Sequence, residues 1–185
     1  MADDTIGWIG LGKLGLPIAA RLAEAGHAVT GFDMQDARRE LAAGKGIAVA
    51  ARAADAAACD LVFTCLPDDR ALRAALTGPA GAVAAMRAGA ILVEISTVSP
   101  EASADIARAA EDAGISYLRL PISGNASIAH TGNLSCFASG PRDAFDRALP
   151  VLEAFTKAQA YLGAGEEARY AKLSVNLMLA ATALM

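Results

Sequence analysis

Gly10-Leu11-Gly12-Lys13-Leu14-Gly15 spells G-x-G-x-x-G and follows directly on the apolar run Ile6-Gly7-Trp8-Ile9. Residues 14–25 continue with apolar positions at helical spacing, and a second apolar run, Ala28-Val29-Thr30-Gly31-Phe32, closes on an acid, Asp33. A strand, a glycine turn, a helix and a second strand ending in a carboxylate make the full context of a dinucleotide-binding fingerprint. Gly10 permits the tight turn out of the first strand, Gly12 lets the backbone approach a pyrophosphate, and Gly15 lets the helix lie close to the strand. Free N–H groups at the helix start favour phosphate charge. The turn from Gly10 through Leu11, Gly12, Lys13 and Leu14 to Gly15, with Asp33, is therefore the expected cofactor-binding segment. A carboxylate at Asp33 accepts hydrogen bonds from a ribose 2′-OH and repels a 2′-phosphate, which favours NAD over NADP. Arg38 and Arg39 lie close enough in sequence to pull the other way and leave NADP open.

Working outward, strand and helix patterns alternate. Apolar runs at 47–50, 61–66, 91–95, 117–120, 134–138 and 158–162 read as strands. Helical spacing covers 37–43, 51–58, 71–76, 100–113 and 141–154. Pro67 stops the fourth strand, and Ser99-Pro100-Glu101 opens a helix with proline in its first turn. Such alternation predicts an α/β protein, a Rossmann-type doubly wound and mostly parallel sheet. Residues 1–163 form the expected NAD(P)-binding domain. Residues 166–185 read as one helix without a stop signal, apolar nearly all round, with Leu173, Leu177, Ala180, Ala181 and Leu184 on one stripe and Met178 and Leu179 off it. Such a helix expects burial, and little chain remains to bury it. Residues 164–185 are thus expected to be the start of a long inter-domain helix, the rest of a second domain lying outside this chain.

Composition narrows the class further. The 185 residues are 55% hydrophobic and carry a formal net charge of −4, which gives no basic surface for nucleic acid. Cys59, Cys65 and Cys136 have no paired or metal-ligand spacing and read as reduced core thiols. The start, Met1-Ala2-Asp3-Asp4-Thr5, is acidic and unlike a signal peptide, and the apolar run at 173–185 is too short to span a bilayer. A cytoplasmic protein without membrane, nucleic-acid or metal partners is expected.

Ligands of open parallel sheets bind beyond the carboxyl ends of the strands. Three loops should gather there: Cys65-Leu66-Pro67-Asp68-Asp69, Ser96-Thr97-Val98-Ser99-Pro100 and Pro121-Ile122-Ser123-Gly124-Asn125. The Ser-Gly pair of the third offers a hydroxyl and unhindered N–H groups to a carboxylate or carbonyl oxygen. Lys172 and Asn176, four apart, share one face of the last helix. A lysine among Tyr170, Ala171, Leu173, Val175 and Leu177 is desolvated, and its lowered pKa suits proton transfer. His27 reads as structural and His130 as a surface loop residue.

Taken in order and spacing, G-x-G-x-x-G, Leu66-Pro67, Ser96-Thr97, Pro121-Ile122-Ser123-Gly124 and Lys172-x-x-x-Asn176 resemble the β-hydroxyacid dehydrogenases. This is the group of 3-hydroxyisobutyrate dehydrogenase and tartronate semialdehyde reductase, related to 6-phosphogluconate dehydrogenase. The resemblance covers essentially the whole chain. It implies an NAD(P) Rossmann domain joined by a lysine-bearing helix to an all-helical domain that closes the pocket and makes most of a dimer contact. It also implies Lys172 as catalytic acid/base supported by Asn176. Ser123 and Gly124, with Asn125 in the altered part of the loop, would bind a small carboxylate substrate, and Leu66, Pro67 and Thr97 would line the nicotinamide side of the cleft. Three departures stand out. Arg119-Leu120-Pro121 replaces the family's Asp-Ala-Pro, Asn125 and Ile128 stand at loop glycines, and Glu166 and Ala168 stand where glycines are common. These leave the substrate open. A hydride-transferring oxidoreductase of a small β-hydroxyacid or semialdehyde, forming homo-oligomers, leads. An aldehyde, glyoxylate or imine reductase of the same fold, or a nucleotide-binding or assembly module without turnover, are the alternatives, separable by titrating cofactor with and without substrates.

Overall fold

The computed structural model describes residues 4–183. Leu184 of the last-helix stripe, Met185 and residues 1–3 of the acidic start lie outside them. In chain order the elements begin with β1 (Ile6–Ile9), α1 (Gly15–Glu24), β2 (Val29–Phe32), α2 (Asp36–Ala43), β3 (Ala48–Val49), α3 (Ala53–Ala56), β4 (Leu61–Thr64) and α4 (Asp69–Leu76). A 3₁₀ turn (Ala82–Ala85) leads to β5 (Ile91–Glu94), α5 (Pro100–Asp112), β6 (Ser116–Arg119), β7 (Ile122–Ser123), α6 (Ala126–Ala129) and β8 (Leu134–Ser139). The chain then runs through α7 (Arg142–Glu153), β9 (Thr156–Gly163) and α8 (Glu167–Ala183). Each strand and long helix of the sequence reading is present within a few residues. The 3₁₀ turn, β7 and α6 were not anticipated.

The sheet runs β3-β2-β1-β4-β5-β6-β8-β7, with β9 also paired to β8. Strands β1 to β6 are parallel. The order reverses between β1 and β4, and a crevice opens there beyond the carboxyl ends. β6 and β7 are two lengths of one path along β8, broken at Leu120-Pro121, and both pair with it antiparallel. β9 returns parallel to β8, with Gly163 level with Ser139 and hence with Arg119 at the carboxyl edge.

Helices cover both faces, so the central strands are buried on both sides and alternate between two cores. Leu61 and Phe63 pack with Trp8, Ile18, Leu22 and Phe155, whereas Val62 packs with Leu72, Leu92 and Ile106. Trp8 stacks on Phe63 at 5.2 Å between ring centroids, and Phe155 meets Phe63 edge-on. Helix starts follow their caps: the Asp68 side chain accepts from Ala71 N–H, and Ser99 accepts from Ala102 N–H ahead of Pro100.

The last helix departs from its expected burial. Only Ala168 and Arg169 of α8 are buried, and Leu177, Met178 and Leu179 are 71%, 68% and 64% exposed. The helix leaves the sheet edge beyond its second turn: residues 171–173 and Val175 are half-buried, and residues 176–183 are exposed. No helix of the described residues is long and apolar enough to cross a membrane.

Candidate active site at the carboxyl edge of the sheet

The glycine turn separates into structural and ligand-facing positions. Gly10 has φ +99°, and a Cβ there would lie 2.3 Å from the Cys65 carbonyl oxygen. A Cβ at Gly15 would lie 2.0 Å from the Gly10 oxygen and 2.9 Å from the Trp8 indole nitrogen, which itself donates to Gly10 O. Gly12 differs: the nearest atom to a Cβ is the guanidinium at the far end of the long Arg38 side chain, at 3.1 Å. That guanidinium itself lines the crevice. Leu11 is buried, Leu14 half-buried against the core, and Lys13 exposed. α1 has no side-chain cap at Leu14, unlike α4, α5 and α6; Leu16 N–H donates to Gly12 O and Pro17 has no N–H, so the N–H groups open to an anion are those of the turn itself, Gly12 to Gly15.

Asp33 sits at the end of β2, 8% exposed. One carboxylate oxygen accepts from Leu11 N–H at 2.8 Å and the other from Gln35 N–H at 2.9 Å. The acid thereby ties the glycine turn to the second strand while lining the crevice. Arg38 stands 3.5 Å from the same carboxylate and also lines the crevice, whereas Arg39 is occupied by the Asp33 carbonyl and the Asp36 carboxylate. The crevice, about 860 Å³, runs from Gly10, Asp33 and Arg38 to Leu66, Pro67 and Ala85. A glycine turn with free N–H groups, an uncapped helix start and a carboxylate beside them fit a dinucleotide. Gly10 to Gly15 would hold its phosphates and Asp33 its adenosine ribose.

At the other end the three loops meet α8. Leu66 N–H donates to Ser96 Oγ at 2.8 Å, which joins the loops after β4 and β5. Pro67, Thr97 and Ser99 form a shallow open pocket of about 570 Å³ with Leu173 of α8. From the third loop, Ser123 Oγ accepts from Lys172 Nζ at 3.3 Å. Burial holds the Lys172 ammonium below the ordinary lysine value. Leu66, Pro67, Thr97, Ser123 and Lys172 are thus assembled around the first turns of α8. Gly124 (φ +133°) turns the third loop in a conformation other residues rarely adopt. Asn125 caps α6, its Oδ1 accepting from Ser127 N–H. Asn176, one turn beyond Lys172, is exposed, and no hydrogen bond joins it to Lys172 among the described residues. His27 lies in the turn before β2, at the opposite end of the strands, and His130 is exposed after α6.

Four charged residues beside this site lie outside the set of functional residues legible in the sequence. Arg169 is wholly buried, donating to Glu94 Oε2 and to the Ser96 carbonyl, each at 2.5 Å. Glu94, also wholly buried, takes Ser96 N–H on its other oxygen at 2.6 Å. Burial pushes its carboxyl up and Arg169 opposes this. Arg119 Nε donates to Glu166 Oε1 at 2.7 Å, and its guanidinium lies over the Tyr117 ring. Charged residues ending buried strands were the available signal. Cys65 and Cys136 are thiols pushed up to about 12 by burial, which leaves them unreactive. Among the described residues no cluster of His, Cys, Asp and Glu could hold a metal ion.

Residues 5–163 match the family model of the NAD binding domain of 6-phosphogluconate dehydrogenase. The chain belongs to that family. It is 33% identical over 179 residues to 2-(hydroxymethyl)glutarate dehydrogenase of Eubacterium barkeri, covering 94% of this chain and 58% of that protein. Among solved structures it is similar to 3-hydroxyisobutyrate dehydrogenase of Mycobacterium tuberculosis with L-serine. There the identity is 34% and the TM-score 0.91, over 96% of this chain and 60% of the other. It is also similar to an imine reductase of Streptomyces aurantiacus, at 29% identity and TM-score 0.83, over 95% of this chain and 60% of that one. The chain therefore spans somewhat over half the length of these relatives, which are dehydrogenases and reductases.

Proposed function

We propose that this chain is the cofactor-binding part of an oxidoreductase that moves a hydride between NAD and a small β-hydroxyacid or its semialdehyde, with Lys172 as acid/base. The observation that carries the reading is the half-buried Lys172 Nζ, 3.3 Å from Ser123 Oγ, next in sequence to Leu173, which lines the open pocket that shares Pro67 with the crevice. When bound, NAD supplies the hydride acceptor. The chain's own residues do the rest. Gly12 and the start of α1 hold phosphate, and Asp33 selects a ribose with a free 2′-OH. Leu66, Pro67 and Thr97 shield the reacting face, while Ser123, Gly124 and Asn125 receive the substrate carboxylate. Lys172, kept below the ordinary lysine value by burial, takes the hydroxyl proton at Nζ in oxidation and returns it in reduction. Ser123 Oγ holds Nζ in place, and Asn176 supports the substrate hydroxyl. Three unpaired cysteines suit the reducing cytoplasm, and the bare apolar side of α8 suits a homo-oligomer.

Lys172→Ala tests the assignment in the protein that carries this chain. Turnover of a β-hydroxyacid should fall about a hundredfold or more, with NADH affinity nearly unchanged by fluorescence titration. Lost NADH binding with turnover preserved at saturation would remove Lys172 from the proton-transfer role.

A further inference from the structure

We propose that Glu94, Arg119, Glu166 and Arg169 form a charge key that sets the register of α8 on the sheet and so positions Lys172. The inference rests on the reading of Lys172 as acid/base for its purpose, and on geometry for its substance.

Glu94 and Arg119 are register partners at the ends of adjacent parallel strands, so the sheet presents a negative and a positive side chain next to each other. Glu166 and Arg169, three apart at the start of α8, present the complementary order from one helix face. The pairs close crosswise, Arg169 on Glu94 and Glu166 on Arg119. Sliding α8 by three residues one way places Arg169 against Arg119. Sliding it the other way places Glu166 against Glu94. Either slip sets like charges together in a buried site, where repulsion is strong. A three-residue slip moves the helix about 4.5 Å along its axis, enough to take Lys172 Nζ away from Ser123 Oγ.

The same guanidinium reaches the cofactor side. Arg169 holds the Ser96 carbonyl, Glu94 holds Ser96 N–H, and Ser96 Oγ holds Leu66 N–H. The lysine helix and the two loops expected to face nicotinamide are thus referenced to one residue. A buried ion pair gives little net stability over an apolar pair of the same volume, and fixing register is its best-attested use. Arg119 and Glu166, each a departure from the family pattern, are partners of one another.

Lys172 is one of only four lysines, which makes its side chain resolvable by NMR in the ¹³Cε-lysine-labelled chain. Its titration midpoint reports its burial independently of turnover, because burial is what lowers it. Glu166→Arg sets two guanidiniums face to face, Glu166→Gln is the milder variant, and the double variant Arg119→Glu with Glu166→Arg restores an opposite pair. With thermal melts confirming a folded chain, both single variants should raise the Lys172 midpoint by about half a pH unit or more towards the ordinary value. The double variant should bring it back. A folded Glu166→Gln or Glu166→Arg chain with an unchanged Lys172 midpoint would overturn the key, as would a folded double variant that fails to restore it. If Lys172 is not the acid/base, Lys172→Ala keeps its turnover while these NMR outcomes stand.

Discussion

Helices α1 and α8 both start at the carboxyl edge of the sheet, and they are held there in opposite ways. α1 is fixed by backbone proximity. Gly10, Gly15 and Trp8 lie within a few residues of one another and of the helix, and the buried face of α1 carries Ile18, Ala19 and Leu22. Its first turn keeps no side-chain cap. α8 is fixed by charged side chains reaching across 47 and 75 residues, and its outer apolar residues are left exposed. The first arrangement leaves the N–H groups of Gly12 to Gly15 without a partner among the described residues. The second spends its polar groups inside the protein and sets one half-buried lysine against Ser123.

The largest way to break this comparison is Gly15→Val. With Gly10 O only 2.0 Å from the position of a Cβ, strand and helix must separate. A loss of about 5 kcal/mol is expected, at the top of the range for single substitutions. Thermal or denaturant melts read it, and a chain with near-native Tm would show that the turn is not close-packed. Next comes Arg169→Ala, which leaves Glu94 buried without its partner. The expected loss is about 3 kcal/mol, or roughly 10 °C in Tm. Replacing both Glu94 and Arg169 by leucine should cost less, about 2 kcal/mol, which is what leaving the buried Ser96 N–H and carbonyl without their partners costs. Equal losses in the single and double variants would mean that the pair acts through packing rather than charge.

The smallest effect sharpens the contrast. Burial lowers the pKa of Lys172, so between that value and 10.5 the folded chain holds fewer protons than the unfolded one. Stability therefore rises with pH through that window, and the cost of the buried ammonium is fully present below it. Lys172→Met should raise Tm by about 1–2 °C at pH 7, with the gain shrinking as the pH approaches 10.5. A Tm gain independent of pH would assign the effect to methionine packing instead.

The same contrast explains what was legible in the sequence. The first half is built from short-range signals: a strand run, glycines at fixed offsets, a proline at a helix start, an acid closing the second strand. Each lies within a few residues of what it controls. β7 and α6 were hidden because two and four residues are too few to show a period, and Pro121-Ile122-Ser123 reads equally as loop. Arg119 and Glu166 showed only as departures from a pattern, because nothing local announces that residues so far apart will pair. The apolar run of α8 announced a helix that wants cover, but not which residues would anchor its first turn. Lys172 was legible through its apolar neighbours, and its contact with Ser123 was not.

The central claim is that the glycine crevice holds a nicotinamide dinucleotide, with Gly12 as its ligand-facing glycine. Titrating NADH and NADPH by fluorescence into the parent chain and Gly12→Val, with a Tm for each, tests it most directly. Because only the end of the Arg38 side chain lies near a Gly12 Cβ, Gly12→Val should keep its Tm within a few degrees. The parent should bind NADH more tightly than NADPH, and the variant should bind neither. A folded Gly12→Val chain that binds NADH like the parent would contradict the account.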